Sequence, residues 1–88
     1  MASSYQTKII KEYESKGYLV LKLIRLNLNG FPDLMCLKDG KAIFIESKEA
    51  NDTIKPLQKH RIQQLKDLGF EAFVMQDRRN DKDLELFE

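Results

Sequence analysis

The stretch DLMCLKDGKAIFIESK, residues 33–48, decides how this chain folds. Asp39-Gly40 between two runs of β-forming residues is the strongest short-range signal for a hairpin. Leu34 to Leu37 and Lys41 to Ser47 therefore read as antiparallel strands. With Asp39 and Gly40 as the central turn residues, Lys38 faces Lys41, Leu37 faces Ala42, Cys36 faces Ile43, Met35 faces Phe44, and Asp33 faces Glu46. Residues paired in this way have β-carbons roughly 4.5 to 5.5 Å apart, and like charges set opposite each other are destabilising. Strand alternation also puts Asp33, Glu46 and Lys48 on one side of the sheet, the side that Ala42 and Phe44 bury. Charged groups are rarely buried without a partner or a metal, because losing their hydration costs several kcal/mol or more.

Outward from the hairpin, the pattern supplies the remaining elements. Upstream, Ser3 and Gln6 have the S-x-x-Q form of a capping box, Tyr5, Ile9 and Tyr13 recur at helical spacing, and Gly17 offers a left-handed stop. Tyr18 to Leu26 (YLVLKLIRL) is rich in β-formers and reads as a first strand, followed by a loop through Asn27, Asn29 and Gly30. Pro32 fixes the backbone just before Asp33. Downstream, Asn51 and Asp52 break the pattern, Pro56 suits a first helical turn, and a helix runs to Leu68 and stops at Gly69. On it Gln58, Ile62 and Leu65 share the face that packs on the sheet. Glu71 to Gln76 is a last strand, reached by a crossover helix and so parallel to the strand before it. The expectation is one α/β domain over residues 1–88, in the order α-β-β-β-α-β, with a central mixed sheet flanked by helices. The charged remainder DRRNDKDLELFE ends in a short strand or arm through Leu84 and Leu86.

Eighty-eight residues suffice for one core and not for two. A domain of this size usually leans on a staple, but the single cysteine and single histidine supply neither a disulfide nor a structural zinc site. The expectation is a homodimer. No signal-peptide pattern and no apolar run of membrane-spanning length is visible, which points to the cytoplasm and no membrane partner. The net charge of +1 argues little, yet residues 53–66 hold Lys55, Lys59, Arg61 and Lys66 with no acid. With Lys8 and Lys11 of the first helix, Lys55, Lys59 and Arg61 are candidates for DNA backbone contacts.

Taken singly, each polar intrusion has an ordinary reading. Asp33 is a turn residue, Glu46 and Lys48 a solvated strand end, Gln58 a helix cap, His60 a surface side chain, Cys36 a small strand residue, and Arg78 and Arg79 solvent or phosphate contacts. The convergence of four of them, and an acid opposite an acid, has a chemical reading instead. Two carboxylates held close repel unless one is protonated or a divalent cation lies between them. Oxygen-only ligands favour Mg2+ or Mn2+. Such an ion activates water and polarises a phosphoryl oxygen, which is what phosphodiester hydrolysis requires. Lys48 is placed to position the water or neutralise growing charge.

The run Gly30-Phe31-Pro32-Asp33-Leu34, then Ile45-Glu46-Ser47-Lys48, then Gln58 within a helix, resembles the PD-(D/E)xK nuclease superfamily, and within it the VRR-NUC (virus-type replication-repair nuclease) branch. The resemblance implies a restriction-endonuclease-like core, Asp33 and Glu46 as metal ligands with the main-chain carbonyl of Ser47, Lys48 as the catalytic lysine and Gln58 as its support. It adds Glu12 of the first helix as a further acid. The family often has an apolar residue where Ser47 stands; this side chain is expected to face away, with little effect. Free-standing members are similar to Holliday junction resolvases. The reading is thus a Mg2+- or Mn2+-dependent endodeoxyribonuclease on four-way junctions, with a nicking or flap nuclease and a catalytically silent DNA-binding or assembly module as the alternatives.

Overall fold

The computed structural model describes residues 4–78. Ser3, Arg79 and the expected strand or arm through Leu84 and Leu86 lie outside them. The elements follow the expected order: α1 (Ser4–Ser15), β1 (Leu19–Lys22), β2 (Leu34–Lys38), β3 (Lys41–Lys48), α2 (Pro56–Asp67) and β4 (Glu71–Gln76). The strands lie side by side as β1-β2-β3-β4 in a mixed sheet, antiparallel except for the parallel pair β3 and β4.

The hairpin register matches the expectation: Lys38 pairs with Lys41, Leu37 with Ala42, Cys36 with Ile43 and Met35 with Phe44. Asp39 at φ 53 and Gly40 at φ 76 both take the left-handed backbone that a two-residue turn of type I′ demands. Odd and even positions then sort the core onto two faces. Leu34, Cys36 and Ile45 meet Ile9 of α1 on one side. Phe44 and Ala72 meet Ile62 and Leu65 of α2 on the other. Cys36 is fully enclosed and its thiol is pushed up by burial, in keeping with a packing role.

One element is shorter than its composition suggests. β1 stops at Lys22, whereas the β-forming run continues to Leu26. Its last pairing partner is Leu34, and only the Leu23 N–H reaches further, to the Asp33 carbonyl at 2.9 Å. The partner strand ends there because Pro32 has no N–H to extend a ladder. Pro32 is fully buried, and Phe31 stacks edge-on against Phe44 with centroids 5.6 Å apart. These anchors hold the chain immediately before Asp33.

No described helix is long and apolar enough to cross a membrane.

Candidate active site

Three strands and both helices deliver polar groups to one end of the sheet. β3 runs outward from its apolar middle, so Phe44 packs under α2 while Glu46 and Lys48, two and four residues on, share its face. Glu46 keeps 6% of its surface and Lys48 8%. α2 reaches the same face, and Gln58 Nε2 donates to Glu46 Oε2 at 3.4 Å. The other end of that amide is fixed, because Gln58 Oε1 accepts the Lys55 N–H at 3.0 Å. The helix-capping and the site-facing readings of Gln58 thus hold together: capping the first turn aims its amide at Glu46.

Asp33 is held differently. Its Oδ1 accepts the Ser47 N–H at 2.8 Å, and its Oδ2 accepts Gln6 Nε2 at 2.7 Å and the Ser47 hydroxyl. The Ser47 side chain therefore does not face away from the site. Alternation sends Ser47 to the α1 side, as expected, but Asp33 lies one residue beyond the last hairpin pair, Leu34 with Ile45. Freed from the ladder, its carboxylate is met from the α1 side, where Ser47 and Gln6 are, so the expected pairing of Asp33 with Glu46 on the face shared by Glu46 and Lys48 does not form.

The two acids have different hydrogen-bond partners, yet the charge of one is felt at the other. Burial, then the charge of Asp33, push the Glu46 carboxyl up from 4.5 to about 7, and Lys48 opposes the rise. This is the response of a carboxylate held in a desolvated place beside another acid without enough positive charge. The donor set fits a hard divalent cation. Asp33 and Glu46 offer oxygen only, and each carboxylate oxygen can accept twice, so Asp33 Oδ1 keeps capacity beyond the Ser47 N–H while Oδ2 is filled by Gln6 and the Ser47 hydroxyl. Among the described residues no group of three His, Cys, Asp or Glu side chains comes together. Further ligands would then be main-chain oxygen or water, which suits Mg2+.

Glu12 is not brought to this cluster. It pairs with Lys16 at 3.3 Å, with both side chains about half exposed (52% and 56%). Gln6, roughly 9 Å of helix rise nearer the start of α1, is the α1 residue that touches Asp33. In the sequence pattern Gln6 stands only as a cap. Asp77 stands there in the charged remainder, whereas in the structure it is buried at the end of β4 with its N–H on the Lys48 carbonyl at 2.8 Å. Gln76 Nε2 meanwhile spans the carbonyls of Glu49, Ala50 and Asp52 and ties down the turn after Lys48. Of the expected DNA contacts, Lys8, Lys11, Lys55 and Lys59 are exposed. Arg61 is half-buried and already engaged, donating from Nε to the Asn29 carbonyl and from Nη1 to Gln64, both at 2.8 Å.

Comparison with known proteins speaks to the family and the fold. The VRR-NUC domain family matches residues 2–78. A solved structure described as a VRR-NUC domain is 29% identical, with a TM-score of 0.72 over 94% of this chain and 92% of that one. Hjc of the archaeal hyperthermophile Archaeoglobus fulgidus, a Holliday junction resolvase, is 14% identical, with a TM-score of 0.66 over 85% of this chain and 66% of its own, a likeness of fold. No curated protein matches the chain.

Proposed function

The chain belongs to the VRR-NUC family, and from that premise we propose that it is a Mg2+- or Mn2+-dependent endonuclease that cuts DNA phosphodiesters in four-way junctions as a homodimer. The observation that carries the reading is geometric: Glu46 and Lys48 are both buried on one face of β3, Gln58 of α2 donates to Glu46 at 3.4 Å, and Asp33 is held next to them by Ser47 and Gln6. Charged groups buried together at one end of a sheet mark a functional site more than a packing one.

In this reading Asp33 and Glu46 hold the cation, with the main-chain carbonyl of Ser47 as a further ligand. When bound, Mg2+ or Mn2+ supplies Lewis acidity toward the phosphoryl group and lowers the pKa of water. Lys48 places the attacking water in line with the scissile bond and offsets negative charge as it grows on the phosphoryl oxygens. Gln58 orients Glu46 from α2, and Gln6 and Ser47 orient Asp33 from the opposite side. Lys8, Lys11, Lys55 and Lys59 meet the DNA backbone. A two-fold dimer presents two such sites to the paired strands of a junction.

The test is cleavage of matched four-way junction, flap and duplex substrates by the wild type and Lys48→Ala, with and without Mg2+ or Mn2+. Junction cutting that needs the cation and drops at least about 100-fold in the variant, with junction binding kept, supports the proposal. Equal cutting by the variant removes Lys48 from the mechanism. Preferred cutting of flaps or nicking of duplex moves the substrate. Junction binding by folded protein without cutting at any Mg2+ or Mn2+ concentration makes the chain a silent DNA-binding module.

A further inference from the structure

Residues 23–30, LIRLNLNG, alternate apolar and polar like a strand, yet they form a loop beside the acid cluster. Local pattern and structure disagree here, which is a mark of segments kept for function rather than for folding. The loop is pinned at both ends. Leu23 donates to the Asp33 carbonyl at 2.9 Å at its start. At its finish Arg61 grips the Asn29 carbonyl, and Gly30 at φ +75 lies so close to Leu57 that an added β-carbon would stand 2.6 Å from Leu57 Cγ.

Between those pins the loop holds Ile24 at 87% exposed, Leu26 at 43% and Leu28 at 44%. All three, with Arg25, border an open recess of about 350 Å³ whose own surface is mostly polar, a size at the low end for small-molecule sites. Exposed aliphatic side chains gathered on an anchored loop call for an occupant. Charge selects among occupants. Residues 16–32 contain Lys16, Lys22 and Arg25 and no acid, and residues 53–66, which hold all of α2 except its last residue Asp67, contain none either. A second copy docking through the same patch would set these cations against their own twins. Nucleic acid neutralises them and brings flat apolar bases to the aliphatic groups.

We propose that Ile24 is a wedge that enters the base stack of the DNA next to the scissile phosphate, with Arg25 on the adjoining backbone. The proposal rests on the nuclease reading above. Its geometry follows from the pin at Leu23: backbone dimensions place the Ile24 Cα within about 8 Å of the Asp33 carbonyl oxygen. Opening the stack at that point favours junctions, whose bases at the branch are already partly unstacked, over continuous duplex.

The experiment uses a four-way junction carrying 2-aminopurine beside the mapped cut. Binding and fluorescence are measured with Ca2+ in place of Mg2+, then cleavage with Mg2+, for the wild type, Ile24→Ser and Ile24→Phe. Because Ile24 is 87% exposed, neither change threatens the fold. The wild type is expected to raise the fluorescence on binding. Ile24→Ser should lose the rise and bind the junction about tenfold more weakly, while Ile24→Phe keeps both. Binding and cutting with no wild-type fluorescence change, or an Ile24→Ser protein equal to wild type, overturns the wedge and leaves the nuclease standing. A dimer that dissociates on Ile24→Ser in sedimentation, with fluorescence unaffected, assigns the patch to a second copy and overturns it too. Failure of the wild type to bind any DNA overturns the wedge together with the function it rests on.

Discussion

Replacing Glu46 by glutamine isolates the electrostatic cost of the site. Burial, and then the charge of Asp33, raise this carboxyl from 4.5 to about 7. The unfolded chain has the ordinary value, so the folded state binds the proton more tightly. The resulting stability is fully present below about pH 4.5 and is lost as pH rises through about 7. One unit corresponds to about 1.4 kcal/mol, so the shift from 4.5 to about 7 amounts to on the order of 3 kcal/mol once Glu46 is ionised. Glutamine has nearly the same shape, keeps an acceptor for Gln58 Nε2 and carries no charge. After the cost of burying its amide is subtracted, Glu46→Gln should exceed the wild type by about 2 kcal/mol at pH 8 in EDTA, and by under about 1 kcal/mol at pH 5. Urea unfolding followed by circular dichroism at the two pH values measures this. Mg2+ at pH 8 should then stabilise the wild type and leave the variant unchanged. A variant no more stable than wild type at pH 8, or an advantage equal at both pH values, would refute the claim that the charge of Glu46 is the strained element.

Gln6→Ala removes the 2.7 Å bond to Asp33. It should weaken Mg2+ binding about tenfold by calorimetry, the usual scale for a residue that orients a metal ligand. Glu12→Gln breaks the exposed pair with Lys16. It should change stability by less than about 0.5 kcal/mol in urea and leave junction cleavage unaltered. Gly30→Ala forces a β-carbon against Leu57 at a φ of +75, and should cost roughly 2 kcal/mol in thermal unfolding. Gly40→Ala, at φ +76 with open space around it, should cost only about 1 kcal/mol from backbone strain in the same assay.

How far residues 33–48 could be read in advance follows from the range of each physical rule. The turn at Asp39-Gly40 is local, so register propagates outward from it one pair at a time, and every pair from Lys38 to Met35 falls where counting puts it. The same counting identifies Glu46 and Lys48 as charges on a buried face, and the i, i+4 and i+7 spacing brings Gln58 to Glu46. Counting fails one residue past the ladder. Asp33 is no longer bound to alternate, and its partners are set by the approach of α1, a contact 27 residues away in sequence for Gln6 with no local signal. Nothing in the spacing of Ser3 and Gln6 separates a cap from a site residue. Asp77 was hidden for a different reason, because a run of mixed charge reads as solvated whatever its first residue does.

The loop at residues 23–30 shows what decides between pattern and structure when they conflict. Its alternation satisfies the period of a strand, but a strand needs a partner, and β2 cannot extend past Asp33 because Pro32 and Phe31 are committed to the core. The burial that fixes Asp33 beside Glu46 is thus the same burial that releases Ile24, Leu26 and Leu28 from the sheet. Moving the end of β2 outward by two residues would pair the aliphatic run, and would also draw Asp33 into the ladder and away from Ser47 and Gln6. The acid pair and the exposed apolar loop are two consequences of one chain path, so a substitution that lets Pro32 leave the core should disturb both together.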